Sequence, residues 1–199
     1  MENRFLQKLI LIGLLVSCSP KKAEEPLPFD TSILKNGDLL CRYGNGFFSK
    51  YFRMVSDSVT DYSHVGIVHI TDDSIHVLHA EASELTFKGF VHRDPLNLFL
   101  EDVNSWGIYR LDKPDSITNR IAFNALRYHH AKVLFDMDFD INDTTEVYCT
   151  ELIAECINKA LGEELVLPKT VIMGKKGFSV DDTFLVDGIF EVAKSEEPN

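Results

Sequence analysis

A cysteine and a histidine in this sequence could together cleave an acyl bond, because each stands at the start of a predicted element. Cys149 precedes an apolar stripe of helical spacing that ends at Gly162, so we expect it in the first or second turn of a helix capped by residues 143–145. The partial positive charge at a helix start favours a thiolate over a thiol. A thiolate nucleophile needs an imidazole within reach, and His64, at the head of a β-type run, is the candidate.

The group that would orient the His64 ring is expected on the next strand. Residues 63–70 and 74–82 are two β-type runs on either side of residues 71–73, which predicts a hairpin. In an odd pairing register, either Glu81 or His79 lies opposite His64, depending on which residues centre the turn. Both residues therefore stay open as the third member of the site, whereas an even register would exclude both.

Three further helices are predicted before the cysteine helix, one of them capped by Asp115 or Ser116 and ending near His130. Apolar and aromatic residues between positions 47 and 59 recur every three or four residues, which predicts a helix with one face packed in the core. Asp94 and Pro95 predict the N-cap and first turn of a second, short helix.

The pattern of potential ligands predicts neither a metal nor a cofactor. Residues 134–141 alternate apolar side chains with aspartates, which predicts a half-buried strand. These aspartates also resemble a calcium loop, but Ile141 stands where such a loop requires glycine and Val147 where it requires glutamate. No set of three or four residues has the spacing of zinc ligands.

The N-terminal residues predict export and a lipid anchor. Arg4 and Lys8 precede the apolar run 9–16, which is too short to span a bilayer and is typical of a signal peptide. The "LVSC" that follows resembles a bacterial lipobox, which implies cleavage after residue 17 and acylation of Cys18. Residues 18–29 are charged and rich in proline, so we expect a tether. The predicted location is the bacterial cell envelope, with the protein lipid-anchored to a membrane on the periplasmic side or the cell surface.

The remaining residues, 30–199, have the length of one domain with its own core. A net charge of −11 argues against nucleic acid and anionic lipid headgroups as partners. With Cys18 acylated, Cys41, Cys149 and Cys156 remain, and an odd number leaves at least one free thiol in an oxidising compartment. A disulfide between Cys41 and Cys156 stays open.

Four short motifs, taken in order, resemble a known family. They are "GDLL" at 37–40, "SHVGIV" at 63–68, "HVLHAEA" at 76–82 and "YCTEL" at 148–152. Together they resemble the YiiX-like permuted papain-like amidases, a circularly permuted branch of the NlpC cell-wall peptidase superfamily. The resemblance implies an α+β fold in which an antiparallel sheet packs against the helix that carries the nucleophilic cysteine.

The resemblance also implies roles for individual residues. Cys149 would be the nucleophile and His64 the general base and acid, with backbone N–H groups at the helix start binding the oxyanion. His79 is favoured as the third residue because histidine is common there in the wider superfamily, and Glu81 is the alternative. Tyr148 and Ser63 are predicted to contact the substrate.

The expected function is that of an envelope-anchored cysteine hydrolase. The most plausible substrate is an amide bond in a peptidoglycan peptide or a related γ-glutamyl or isopeptide link. One alternative is a lipid ester hydrolase or acyltransferase similar to lecithin retinol acyltransferase, for which "GNGFF" and "LNLFL" are the candidate membrane-facing segments. A second alternative is a non-catalytic lipoprotein that binds a wall fragment or a protein partner.

Overall fold

The computed structural model describes residues 26–44, 49–50, 53, 62–72 and 74–196. Within these residues the strands are β1 (Leu39–Tyr43), β2 (His64–Thr71), β3 (Ser74–Ala82), β4 (Gly89–Pro95), β5 (Ser105–Leu111), β6 (Thr170–Ile172), β7 (Lys175–Gly177) and β8 (Ile189–Lys194). The α-helices are α1 (Leu96–Phe99), α2 (Asp115–Ala131), α3 (Cys149–Leu161) and α4 (Val180–Phe184). A 3-10 helix spans Thr31–Ile33.

Six strands form one antiparallel sheet in the order β4-β3-β2-β1-β5-β8, and β6 pairs with β7 in a separate hairpin. Helices α2 and α3 pack on each other, and both contact β2 and β3. The helix that begins with Cys149 therefore lies against the strand that begins with His64. The predicted α+β class, with an antiparallel sheet packed against the cysteine helix, is confirmed.

The sheet is buried on both faces. One apolar cluster lies between the sheet and helices α2 and α3, and a second lies on the opposite face beside α1. Leu39 belongs to the first cluster and its neighbour Leu40 to the second, because successive side chains of a strand point to opposite faces. Burial on both faces fixes the register of the central strands, since a slip by one residue would exchange the two sets of side chains.

The β2–β3 hairpin has the odd register that the sequence allowed. Thr71 pairs with Ser74 and Ile67 with Leu78, which is the register that would place Glu81 opposite His64. Gly66, within the "SHVGIV" motif, permits the close approach of the two strands, since a Cβ there would overlap the side chain of Val77. The absence of a Cβ at Gly66 thus leaves room for β3 beside the strand that begins with His64.

Two local predictions that involve an aspartate are wrong. Asp94 does not cap a helix: it lies in β4, and Pro95 is the N-cap of α1, without a side-chain hydrogen bond. Residues 134–141 do not form a strand. The buried Asp136 carboxylate there accepts hydrogen bonds from the backbone N–H groups of Asp138, Phe139 and Asp140, at 2.7, 3.0 and 2.6 Å. Backbone donors bound to a side chain are not available to a sheet.

Several predictions fall on residues that lie outside the described part of the chain. These are the signal peptide, Cys18, most of the tether and most of the aromatic helix at 47–59. None of the described helices has the length and apolar character needed to cross a membrane. Cys41, Cys149 and Cys156 are all buried free thiols, so no disulfide joins Cys41 to Cys156.

Candidate active site

Helix α3 begins at the candidate nucleophile itself. Cys149 is its first residue and Tyr148 its N-cap, so the predicted caps at 143–145 are wrong. The Glu151 carboxylate accepts a hydrogen bond from the Tyr148 backbone N–H at 3.3 Å, which satisfies a donor at the helix start. The Tyr148 hydroxyl accepts a hydrogen bond from the Phe178 backbone N–H at 2.9 Å. These two bonds fix the backbone on which the sulfur is carried.

A cavity of about 280 Å³ brings the predicted catalytic residues together. Its lining includes Cys149 from α3, His64 from β2, and Glu81 from β3. Only 1 % of Cys149 and 8 % of His64 is exposed, so both residues are shielded from bulk solvent. The cysteine and histidine, 85 positions apart in sequence, thus share one cavity wall.

Burial disfavours the ionised form of the Cys149 thiol. Burial raises its pKa to about 12, although hydrogen bonds from the backbone N–H groups of Thr150, Cys149 and Val65 lower it. The start of the helix therefore supplies donors to the sulfur, as the sequence predicted, but desolvation outweighs them. The contact with Val65, the residue after His64, also places the sulfur beside the head of β2.

The His64 ring is held by a chain of hydrogen bonds that ends in a carboxylate. His64 Nε2 lies 2.9 Å from His79 Nδ1, and His79 Nε2 lies 3.1 Å from an Asp94 carboxylate oxygen. The carboxylate can only accept, so His79 Nε2 carries a proton and the neutral ring presents a lone pair at Nδ1. His64 Nε2 must then donate to His79. The other nitrogen of His64, Nδ1, is left with the lone pair that a general base requires.

Both imidazoles are neutral near pH 7. Burial lowers the pKa of His64 well below its ordinary value, and the positive charge of Arg42 lowers it further. Burial also lowers the pKa of His79, although the hydrogen bond to Asp94 raises it in opposition. Burial of both groups thus favours a neutral thiol and a neutral imidazole over a thiolate–imidazolium pair in the resting site.

His79, rather than Glu81, contacts the His64 imidazole. The Glu81 carboxylate binds the Arg42 guanidinium at 2.6 Å, and it approaches the His79 ring only to 4.0 Å. His64 reaches His79 diagonally, because the register that would place Glu81 opposite His64 makes His79 its diagonal neighbour. Of the two candidates left open by the sequence, His79 therefore has the position of the orienting residue.

The two predicted substrate contacts differ in position. Ser63 lines the cavity, and its hydroxyl donates to the Arg42 carbonyl at 3.5 Å. Tyr148 is fully buried, packs against Phe139, and is not among the residues that line the cavity. The prediction that Tyr148 contacts substrate therefore does not agree with its position, because its hydroxyl is used inside the core.

The sequence analysis missed Asp94 and Arg42. Asp94 could be placed only by recognising residues 89–95 as a strand paired with β3, where His79 pairs with His92. Alternation along that strand then puts Asp94 on the same face as His92, within diagonal reach of His79. Arg42 directly follows Cys41 in β1 and pairs with His64, so the same register argument would have found it.

The tertiary structure also gathers three potential metal ligands that no sequence spacing indicated. One side-chain atom each from His64, His79 and Glu81 lies within 4.8 Å of the other two. Because β2 and β3 are joined by a tight turn, residues 15 to 17 positions apart meet at one place on the sheet. The spacing of zinc ligands sought in the sequence does not detect a group of this kind.

Comparison with known proteins gave one family and one informative structure. The family model of the permuted papain-like amidases YaeF/YiiX, C92, matches residues 34–194. The solved structure described as metalloprotein yiiX from Escherichia coli O157:H7 superimposes with a TM-score of 0.67 at 18 % identity, covering 81 % of this chain and 97 % of that one. Among curated protein sequences there was no significant match. The permuted papain-like fold predicted from four short motifs is confirmed by these findings.

Proposed function

Since the chain belongs to the permuted papain-like amidase family C92 and is thus a cysteine amidase or peptidase, we propose that it cleaves an amide bond in peptidoglycan peptides. A related γ-glutamyl or isopeptide link belongs to the same proposal. The observation that carries the catalytic assignment is the cavity that Cys149 shares with His64, the first member of the hydrogen-bonded series His64, His79 and Asp94.

In the proposed reaction, His64 Nδ1 takes the thiol proton as the Cys149 sulfur attacks the substrate carbonyl. A sulfur–carbon bond forms and the carbonyl π electrons move to oxygen, where the N–H groups of Cys149 and Thr150 can stabilise the oxyanion. The oxyanion then reforms the carbonyl, the carbon–nitrogen bond breaks, and the imidazolium of His64 protonates the leaving amine. His64 then takes a proton from a water molecule, whose oxygen bonds to the acyl carbon. As the carbon–sulfur bond breaks, His64 returns that proton to the sulfur and the carboxylic acid product leaves.

The charge of the cavity supports a substrate that carries an amino group. Four carboxylates line the cavity, those of Glu81, Glu84, Glu101 and Asp102, against the single guanidinium of Arg42 among the described lining residues. A cavity with this excess of negative charge attracts ammonium groups and disfavours anionic headgroups. Peptides with a free amino group, such as wall stem peptides that contain a diamino acid, fit this requirement.

The location of the enzyme is part of the proposal. A lipid anchor at Cys18 and a tether over residues 18–29 would hold the catalytic domain near the cell wall, either on the periplasmic side or at the cell surface. The "LVSC" sequence and the short apolar run before it support this assignment. Replacing Cys18 by serine is expected to move the protein from the membrane fraction to the soluble fraction, as measured by fractionation and immunoblotting.

Two measurements test the catalytic proposal. Wild-type protein incubated with purified muropeptides is expected to release new amino and carboxyl termini detectable by mass spectrometry, and Cys149→Ala is expected to release none. Cys156→Ala is the matched control, because Cys156 is a buried thiol seven residues along the same helix and does not line the cavity. Equal loss of activity in both variants would contradict the assignment of Cys149.

One observation favours the lipid alternative and keeps it in the experiment. Leu85 and Phe87, in the turn between β3 and β4, are 93 % and 59 % exposed, and the neighbouring Glu84 lines the cavity. Apolar side chains exposed beside a cavity can contact a lipid surface. Of the earlier candidate segments, "GNGFF" lies almost wholly outside the described residues, while the "LNLFL" segment buries Leu96, Phe99 and Leu100. Release of fatty acid from phospholipid vesicles, without muropeptide cleavage, would favour the lipid reading.

The non-catalytic alternative is not retained. The chain carries the cysteine and histidine in one cavity and belongs to an enzyme family, so a degenerate binding cleft does not describe it.

A further inference from the structure

The backbone of one distant residue, Phe178, is hydrogen-bonded to the residues on both sides of the nucleophile. Its N–H donates to the Tyr148 hydroxyl at 2.9 Å, and its carbonyl accepts a hydrogen bond from the Thr150 hydroxyl at 2.7 Å. Tyr148 is 0 % and Thr150 1 % exposed, so bulk water does not compete for either bond. The start of helix α3 is thus attached, on either side of Cys149, to a segment 28 to 30 residues further along the chain.

The backbone of Phe178 is itself held on both sides. The preceding Gly177 ends β7 and pairs with Thr170 of β6. The following Ser179 is the N-cap of α4: its hydroxyl accepts a hydrogen bond from the Asp182 N–H at 3.2 Å, and the Asp182 carboxylate accepts one from the Ser179 N–H at 2.9 Å. The same carboxylate accepts a hydrogen bond from the Thr170 hydroxyl at 2.8 Å, which joins β6 to α4. Phe178 therefore offers the start of helix α3 a fixed point of attachment.

The two attached residues flank the N–H groups that serve the reaction. The N–H of Cys149 belongs to the peptide bond with Tyr148, and the N–H of Thr150 belongs to the peptide bond with Cys149. Both N–H groups bind the Cys149 sulfur and are the proposed donors to the oxyanion. Such N–H groups have no acceptor within the helix, and helix ends fray. Since the peptide group is planar, fixing Tyr148 and Thr150 from outside the helix fixes the direction of both donors.

We propose that Tyr148 and Thr150 are positioning residues, whose hydroxyl groups hold the oxyanion donors in place through the backbone of Phe178. The inference rests on the proposed function, because that function assigns the same N–H groups to the oxyanion. Each hydroxyl is bound to Phe178 inside the core, so neither one contacts a reacting atom. Displacing a donor should lower the acylation rate about 10–100-fold, less than the roughly 10²–10³-fold typical of removing an oxyanion donor.

Two reactions of Cys149 separate the oxyanion from the sulfur without a natural substrate. Acylation by p-nitrophenyl acetate passes through a tetrahedral oxyanion before p-nitrophenolate leaves, whereas alkylation by iodoacetamide displaces iodide from carbon and forms no oxyanion. A change in the thiol itself affects both rates. The ratio of the acylation rate to the alkylation rate therefore reports the stabilisation of the oxyanion, and Cys149→Ala supplies the background for both reagents.

Thr150→Val removes the hydroxyl and keeps the shape of the side chain. We expect it to lower the ratio of acylation to alkylation about 10–100-fold, and Thr150→Ser should restore the ratio to within about threefold of the wild type. Tyr148→Phe removes the other bond and should lower the ratio at least about tenfold, which gives an independent test if Thr150→Val does not fold.

Thr183→Val is the matched control. Thr183 is another fully buried threonine near the start of a helix, and its hydroxyl donates to a backbone carbonyl, that of Val180, at 2.6 Å. Loss of this hydroxyl should lower the thermal stability without changing the ratio by more than about threefold, because Thr183 is not bound to the start of helix α3.

Three outcomes would overturn the positioning role. The first is a ratio within about threefold of the wild type in both Thr150→Val and Tyr148→Phe, and the second is an equal fall of the ratio in Thr183→Val. The third is a loss in Thr150→Ser as large as that in Thr150→Val. Failure of the wild type to cleave muropeptides, while the ratio responds as expected, would contradict the proposed substrate alone, since neither reagent resembles a muropeptide.

Discussion

Two carboxylates lie beside the paired imidazoles, and the structure uses them differently. Asp94, on β4, accepts a hydrogen bond from His79, whereas Glu81, on β3, forms an ion pair with Arg42. The Asp94 side chain is 25 % exposed and that of Glu81 45 % exposed. The register of β2 and β3 places Glu81 opposite His64, and the register of β3 and β4 makes Asp94 a diagonal neighbour of His79. The partner that each carboxylate takes, rather than its proximity, decides whether it controls the proton of the catalytic ring.

The Asp94 bond acts on His64 through the tautomer of His79. Because Asp94 accepts a hydrogen bond from the Nε2 proton of His79, His79 Nδ1 can accept a hydrogen bond from His64 Nε2. His64 Nδ1 then keeps the lone pair of the base. Glu81 instead compensates a cation whose charge lowers the pKa of His64. We therefore call Asp94 and His79 positioning residues and assign Glu81 to charge balance.

The largest effect expected among these residues is that of His79. His79→Ala removes the acceptor that fixes the His64 ring and should lower kcat by about 10²–10³-fold, the range typical of a misdirected general base. His79→Gln should recover part of this loss, because the amide oxygen of glutamine can accept a hydrogen bond from His64 Nε2. Steady-state kinetics in EDTA-treated buffer, with thermal unfolding as a check on folding, measure both. Equal activity of the two variants would refute the positioning role.

Asp94→Ala is expected to have the next largest effect. Without the carboxylate, the His79 proton is no longer held at Nε2, so both tautomers of the paired rings become populated and kcat should fall about 10–100-fold. KM should change little, because Asp94 does not line the cavity. A rise in KM at constant kcat would instead indicate substrate binding.

Glu81→Gln should lower kcat less than about tenfold in EDTA-treated buffer. The amide oxygen of the introduced glutamine can still accept a hydrogen bond from Arg42, and only the charge of the ion pair is lost. The direct comparison with Asp94→Ala under identical conditions is decisive. If Glu81→Gln were the more damaging of the two, Glu81 would be the orienting residue and the assignment above would be reversed.

The smallest effect expected is that of pH near neutrality. The base form of His64 is the neutral ring, and burial lowers its pKa, so kcat/KM should hold as pH falls through 6.5 and decline only at lower pH. The Cys149 pKa of about 12 means that no increase from thiol ionisation is expected between pH 7 and 9. A pH profile of kcat/KM checks the prediction on the acidic side and the prediction on the alkaline side. A tenfold increase between pH 7 and 9 would show that the reactive form is a preformed thiolate.

The lowered pKa values of His64 and His79 also affect how the free energy of unfolding depends on pH. The buried His64 and His79 resist protonation in the folded state, whereas the unfolded chain takes up protons below about pH 6.5. The unfolded state therefore binds more protons at these two rings as the pH falls, and their contribution to the free energy of unfolding should decrease from pH 7 to pH 5. Burial raises the pKa of Glu151 to about 8, so that side chain contributes in the opposite direction. Urea unfolding of Glu151→Gln at the two pH values isolates the contribution of the histidines, and an increase in its free energy of unfolding at pH 5 would contradict the assigned directions.

Local chemistry explains which elements could be predicted. The Cys149 helix has a clear apolar stripe and a glycine stop, and the hairpin of β2 and β3 has two β-type runs, so both were found. The stretch at 134–141 alternates like a strand, yet the buried Asp136 side chain takes the backbone donors that a strand would use. Periodicity reports which side chains are apolar, but it does not report where the backbone hydrogen bonds go.

The sequence by itself determined the class of chemistry, because a thiol at a helix start and a histidine at a strand start follow from local spacing and from the order of four motifs. It also limited the third residue to His79 or Glu81 through the parity of an antiparallel hairpin. The tertiary structure places His79, and not Glu81, against the His64 ring, and it adds Asp94 and Arg42 from strands β4 and β1. It also raises the pKa of the thiol, because desolvation depends on everything that surrounds the sulfur and not on the few residues next to it.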